Sequence, residues 1–228
     1  MRYLVGRGRV GGALSAALPD AVLLEGRGFT GETAWAPGDV ILLCVPDAAL
    51  PEVASRLRET EAVVLHCAGS VDSSVLESAS RGVFYPMVSF RERVEWSAVP
   101  VFAEAHDAHA RSAIQDLVRD LGTPEPTWTD SATRASYHLG AVFANNFSNH
   151  LVALLQAYCR HAGLDSSVYA AMLTQTVAGA QRGEARSLQT GPAARGDEPT
   201  LQRHLSMLPE ELREIYRALS ASIQRTAP

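Results

Sequence analysis

Residues 3–11 read Y-L-V-G-R-G-R-V-G, and no other stretch restricts the fold as tightly. A short apolar run stops at Gly6, Gly8 and Gly11, a small-residue helix follows over residues 10–18, and a second apolar run follows at 21–24. That is the strand, glycine turn, helix and strand order found at the phosphate-binding end of a doubly wound sheet. In that arrangement Gly6 allows the tight turn, Gly8 the close approach of a pyrophosphate, and Gly11 the packing of helix on strand. Backbone N–H groups near Arg9 and Val10, at the positive end of the helix dipole, are the expected anion ligands. The competing reading is a glycine turn of the same fold that binds nothing.

The alternation continues through residue 121. Apolar strands are expected at 39–45, 62–66, 82–85 and 99–103, and helices at 50–58, 73–80 and 107–121. Continuous apolar strands separated by helices mean a mostly parallel sheet covered on both faces. After T-P-E-P-T-W-T-D at 123–130 the pattern changes. Residues 131–161 hold no proline and one glycine, so a single long helix of about 45 Å is expected there, with further helices at 167–182, 200–207 and 210–224. The fold class is therefore α/β, with a dinucleotide-binding domain over 1–127 and a smaller all-helical dimerisation and substrate domain over 128–228.

Composition removes several functions. The net charge is −5 with both signs mixed along the chain, so there is no basic stripe for nucleic acid. No apolar run approaches the roughly 20 residues of a membrane span, and the few residues before the first strand leave no room for a signal peptide, so a cytoplasmic chain is expected. The three cysteines, Cys44, Cys67 and Cys159, stand at unrelated spacings and read as buried free thiols. All 20 basic residues are arginine. With no lysine there is no Schiff base, no lysine general base and no Walker-type phosphate loop.

The end of the second strand decides the nucleotide. A carboxylate at its tip holds the ribose hydroxyls of NAD, whereas an arginine pairs with the 2′-phosphate of NADP. The chain reads Leu24-Glu25-Gly26-Arg27. Strand alternation turns Glu25 away and brings Arg27 to the phosphate, which favours NADP over NAD, although a shift of one residue reverses the answer.

The stretches V-G-R-G-R-V-G-G-A-L, V-P-D-A-A-L from Val45, H-C-A-G-S-V-D-S-S-V-L from His66, Y-P-M-V-S-F from Tyr85, S-Y-H-L-G-A-V-F-A-N-N-F from Ser136 and T-G-P-A-A-R-G-D-E-P-T-L-Q-R-H-L from Thr190 carry a resemblance. The chain resembles a family of bacterial Rossmann-type NADP oxidoreductases with an uncharacterised helical C-terminal domain. That family is distantly similar to pyrroline-5-carboxylate reductase, 6-phosphogluconate dehydrogenase and 3-hydroxyisobutyrate dehydrogenase. The resemblance implies a nicotinamide cofactor and a homodimer through the helical domain, and names no substrate. The chain departs from it in three places. Tyr85-Pro86 stands where members usually read His-Pro, the segment after Arg27 is short, and the catalytic lysine of better-known relatives is absent.

The expected site follows. His66 ends an apolar strand at the carboxyl edge, where open α/β sheets place ligands; it is a candidate proton donor, or a structural histidine. On the long helix His138, Asn145 and Asn149 fall on one stripe, with Asn146 and His150 beside it. A histidine proton and orienting amides suit acid–base work beside a nicotinamide, and a dimer seam is the other reading. Val45, Pro46 and Gly69 complete the expected cofactor contacts with Gly6, Gly8, Arg9, Val10, Gly11 and Arg27. Ser70 and Arg195 are the expected substrate contacts, Arg195 alternatively bracing Asp197. His106 and His109 read as a solvated helix start, so no metal is expected. The function this supports is NADP-dependent oxidation or reduction of a small carbonyl or imine metabolite; the alternative is a non-catalytic dinucleotide- or metabolite-binding dimer.

Overall fold

The computed structural model describes residues 1–91, 93–183 and 185–226. Two compact units divide the chain, Met1–Asn145 and Asn146–Pro228. The first therefore takes in residues 128–145, which the change of composition at 123–130 had placed with the helical part.

The first unit is built on a seven-stranded sheet: β1 (Arg2–Val5), β2 (Val22–Leu24), β3 (Val40–Leu43), β4 (Val63–His66), β5 (Arg81–Pro86), β6 (Val101–Ala105) and β7 (Thr127–Trp128). Their order across the sheet is β2-β1-β3-β4-β5-β6-β7. Every residue of β3 and β4 is buried, as expected of strands covered on both faces. One face is closed by α1 (Arg9–Ala17) and α3 (Ala108–Leu121), whose Leu14, Ile114 and Leu117 pack on Leu42 and Leu65. The other face is closed by α2 (Leu50–Ser55) and the loop residue Phe29, over Ile41, Leu43 and Val64.

One strand pair of the mostly parallel sheet is antiparallel, and two local expectations are corrected. β6 runs antiparallel to β5, with Phe84 opposite Ala103. The described residues of 87–100 include no crossover helix, only the 3₁₀ turn Trp96–Ala98, and without a crossover a returning strand pairs antiparallel. The helix expected at 73–80 is the single 3₁₀ turn Ser73–Val75, begun by Asp72, whose side chain accepts from the Ser74 N–H at 2.8 Å. Asp and Ser side chains compete for backbone donors and favour such turns over helix. The long helix is not uniform: α4 (Ser131–Ala141) and α5 (Ser148–Ala162) are α-helical, but Val142–Phe147 is π-helical. The unit boundary falls inside that π segment.

In the second unit α5 is joined by α6 (Ala170–Arg182), α7 (Glu198–Met207) and α8 (Glu210–Thr226). Its buried apolar residues are few, chiefly Cys159, Ala193, Leu201, Leu205 and Leu212, while Val168, Met172, Val177 and Met207 are each more than half exposed. A groove of about 340 Å³ lies between α5 and α8, lined by Leu151, Leu155, Tyr158, Met207, Ile215 and Leu219. Among the described residues no helix is long and apolar enough to cross a membrane.

Candidate functional site

β2 and β3 lie on opposite sides of β1, so the turn after β1 opens at the switch point of the sheet, where doubly wound folds leave a crevice. The glycines of that turn differ in what requires them. Gly6 has φ +117°, and a Cβ there would lie 2.6 Å from the Cys44 carbonyl oxygen. A Cβ on Gly11 would overlap the Gly6 carbonyl. The packing of the protein itself demands both. Gly8 has φ −71° and ψ −170°, open to any residue, and a Cβ there would meet nothing within 4 Å.

Gly8 also caps α1 with no side chain. The first intrahelical bond runs from the Gly12 N–H to the Gly8 carbonyl, 2.8 Å, which leaves the N–H groups of Arg9, Val10 and Gly11 pointing out of the helix start. Among the described residues no side chain accepts from them, and no acidic residue stands in the first turn. By contrast α3, α4 and α7 are each capped by an aspartate, Asp107, Asp130 and Asp197. The start of α1 is thus a positive helix end with three orphan donors and open space beside Gly8, which fits a phosphate group.

At the tip of β2 the expectation for Glu25 is corrected. Its carboxylate is not turned away but pairs with the Arg7 Nε of the glycine turn at 2.8 Å, both side chains being more than half exposed. Arg27 is exposed, with no partner among the described residues. Gly26 is fixed by Val45, whose Cγ1 would lie 2.8 Å from a Cβ there.

Further along the same edge the ends of β3, β4 and β5 bring Pro46, Gly69, Ser70 and Tyr85 into one row. Tyr85 stands three strands, roughly 14 Å, from the glycine turn. His138 comes to it from α4: the Tyr85 hydroxyl and the His138 Nδ1 are 2.9 Å apart, and the rings meet edge to face with centroids 5.7 Å apart. Both pack on Gly69, where a Cβ would overlap the His138 Nδ1 and Cγ and lie 2.9 Å from the Tyr85 Cζ. Ser70 donates to the exposed Asp47 carboxylate at 3.1 Å. Burial raises the Tyr85 phenol above its ordinary value, with Asp47 adding to that and Arg134 opposing it.

One turn before His138 on α4, Arg134 is fully buried. Its Nε donates to Glu104 at 2.7 Å, one Nη to the carbonyls of Ala68 and Gly69 at 2.7 Å each, and the other to the Val71 carbonyl at 2.6 Å and Ser131 Oγ at 3.3 Å. Arg134 therefore ties α4 to the loop after β4 and holds Gly69 against His138. Neither Tyr85 nor Arg134 nor Glu104 is among the expected site residues. The signal that could have found the pair was an acidic residue inside the apolar run V-F-A-E-A, opposite an arginine four residues before His138.

His66 is corrected as a proton donor. It is fully buried, and its Nδ1 accepts from the Ala68 N–H at 3.2 Å. Burial first, and the Arg134 guanidinium second, push its pKa down to about 3, against a smaller upward pull from Asp72. Among the described residues its Nε2 has no hydrogen-bond partner. His66 is thus a neutral, structural ring.

The expected stripe of His138, Asn145 and Asn149 assumes 3.6 residues per turn, and the π segment breaks that count. Asn145, Asn146, Asn149 and His150 are all exposed. In the second unit Arg195 is exposed on a turn that Gly191 and Gly196 make with φ +105° and +66°. Asp197 does not brace Arg195 in an ion pair; it caps α7, accepting from the Thr200 N–H at 3.2 Å. Asp107, between His106 and His109, caps α3 by accepting from the Ala110 N–H at 2.8 Å.

The family described as domain of unknown function DUF2520 matches residues 99–223. The chain belongs to this family. The match starts just before β6, so it takes in Glu104, Arg134 and His138 but not the glycine turn. No curated protein matches. Among solved structures, a Bacteroides fragilis protein provisionally named an NADP oxidoreductase is 27% identical with a TM-score of 0.86, over 98% of this chain and 97% of its own. A Thermotoga maritima protein is 19% identical at 0.70, over 100% and 98%. The reductive aminase of Aspergillus terreus, solved with NADPH and ethyl levulinate, is 13% identical at 0.69, over 98% and 92%. The last two share the fold.

Proposed function

We propose that this member of the DUF2520 family is an NADP-dependent oxidoreductase acting on a small carbonyl or imine compound. The observation that carries the proposal is the start of α1: a glycine that the protein's own packing does not need, beside three N–H donors that no side chain caps. A dinucleotide pyrophosphate fits that place, with Gly6, Gly8, Arg9, Val10 and Gly11 around it and Val45, Pro46 and Gly69 along the strand ends toward the ring. The names of the Bacteroides and Aspergillus structures point the same way. NADP is preferred to NAD because Glu25 is engaged by Arg7 while Arg27, two residues on, has no partner among the described residues.

A nicotinamide dinucleotide bound by these residues would supply or take the hydride. The residues of the chain handle the proton. Reduction of a carbonyl or imine builds negative charge on oxygen or a lone pair on nitrogen, and His138, whose Nδ1 is engaged by Tyr85, delivers a proton to it. Ser70 and Asn145, in the same unit as His138, are assigned to orienting the substrate. The exposed apolar side chains of α5, α6 and α8 suit a two-fold homodimer through the helical unit. We place the protein in the bacterial cytoplasm, with a helical domain akin to that of 6-phosphogluconate dehydrogenase.

Titration of the purified chain with NADPH and NADH, followed by nicotinamide fluorescence, tests the proposal. NADPH is expected to bind more tightly, and Arg27→Glu to weaken NADPH at least about tenfold more than NADH. Absence of binding by either nucleotide would remove the assignment.

A further inference from the structure

We infer that Tyr85 is a positioning residue: its hydroxyl donates to the His138 Nδ1 and so fixes the ring proton on Nε2, from which it passes to the substrate as the Tyr85 O–H proton moves to Nδ1, solvent then restoring the phenol. This rests on the reading of His138 as the proton source of the site. Three observations support the direction of the bond. The Nδ1 and Cγ edge of the imidazole is the edge that packs on Gly69, so the opposite edge, with Nε2, is turned from that contact. The phenol is packed on the same glycine through Cζ. An imidazole nitrogen is a far stronger acceptor than a phenol oxygen, so of the two ways to make the 2.9 Å contact the bond from the phenol O–H to Nδ1 is the stronger. Donation from Tyr85 satisfies both groups at once, and the phenol, raised by burial, keeps its proton throughout the neutral range.

Two further contacts make the arrangement rigid. Arg134 holds the Gly69 carbonyl at 2.7 Å from the same helix that carries His138, which fixes the floor under both rings. No side chain can stand at position 69 without displacing the imidazole. Since the two tautomers of a free imidazole are close in energy, one hydrogen bond to a preset partner decides between them. Tyr85 thus converts a ring that can present either nitrogen into one that presents a single donor.

The test is a two-bond ¹H–¹⁵N correlation spectrum of the ¹⁵N-histidine-labelled full chain at neutral pH. Seven histidines contribute, and His138→Gln identifies the signals of position 138 by their loss. In the wild-type protein His138 is expected to show an unprotonated, hydrogen-bonded Nδ1 and a protonated Nε2. Tyr85→Phe keeps the ring on Gly69 and removes only the donor; its His138 signals are expected to move to the averaged shifts of a tautomer mixture, and kcat to fall about tenfold or more with KM for NADPH unchanged. A protonated Nδ1 in the wild-type protein, or the same tautomer in Tyr85→Phe as in wild type, would overturn the inference. If the tautomer responds as expected while no substrate turns over even in the wild type, the role of Tyr85 stands and the oxidoreductase reading fails.

Discussion

Arg134→Met should be among the most damaging single substitutions in the first unit, and the cost can be worked from its contacts. Methionine keeps the length and apolar stem of the side chain and deletes the charge. Glu104, whose side chain is only 11% exposed, then retains the Ser131 hydroxyl at 2.8 Å and no cation. Removing one partner of a buried ion pair costs about 3–5 kcal/mol, because the other charge stays desolvated. The carbonyls of Ala68, Gly69 and Val71 lose their donor as well, and each buried orphan costs about 1–3 kcal/mol, although these losses do not simply add. A loss of at least about 4 kcal/mol follows, a large part of the 5–15 kcal/mol that holds an ordinary domain together. Urea unfolding followed by tryptophan fluorescence reads it cleanly, because Trp35, Trp96 and Trp128 all lie in the first unit. With a slope of about 2 kcal/mol per molar, the midpoint should fall by about 2 M. Glu104→Gln combined with Arg134→Met should be less damaging than the sum of the two single changes by about 1–3 kcal/mol, since the double change leaves no unpaired charge. A loss below about 1 kcal/mol for Arg134→Met, or additivity within about 0.5 kcal/mol, would refute the account of Arg134 as the buried tie between α4 and the loop after β4.

Gly8→Val should abolish NADPH binding while costing the fold no more than about 1 kcal/mol, because the side chain enters open space at an ordinary backbone conformation; calorimetric titration and thermal melting separate the two effects, and undiminished affinity would contradict the pyrophosphate site. His66 is held neutral with a folded pKa of about 3 against an ordinary 6.5, so the unfolded chain takes up a proton that the native chain refuses between those values. The stability it contributes is complete above about pH 6.5 and is lost toward pH 3, at about 1.4 kcal/mol per pH unit. His66→Asn should flatten that part of the stability–pH curve, and an unchanged acid limb would show that the ring is not protected. Sedimentation of the full chain should give a dimer at micromolar concentration, whereas a monomer would mean that the exposed apolar faces of α5, α6 and α8 have another use.

What the sequence made legible is what local chemistry dictates. The turn after β1 needs a positive φ at Gly6 and close packing at Gly11, and both needs leave glycine as the only residue, so the pattern could be read without coordinates. The buried strands β3 and β4 announced themselves as unbroken apolar runs for the same reason. The π segment could not be read, since V-F-A-N-N-F suits an α-helix equally well and its extra residue per turn is a property of the backbone path. Nor could the pair Tyr85 and His138, which are 53 residues apart and meet only because β5 ends at the sheet edge that α4 crosses. Tyr85 was legible only as an aromatic residue at a strand end, and it gained a meaning only beside His138. A ring at position 85 that itself titrates near neutrality could share its proton with His138 in either direction. A phenol that keeps its proton donates to the stronger acceptor beside it, the imidazole nitrogen, and so leaves His138 a single nitrogen to act with.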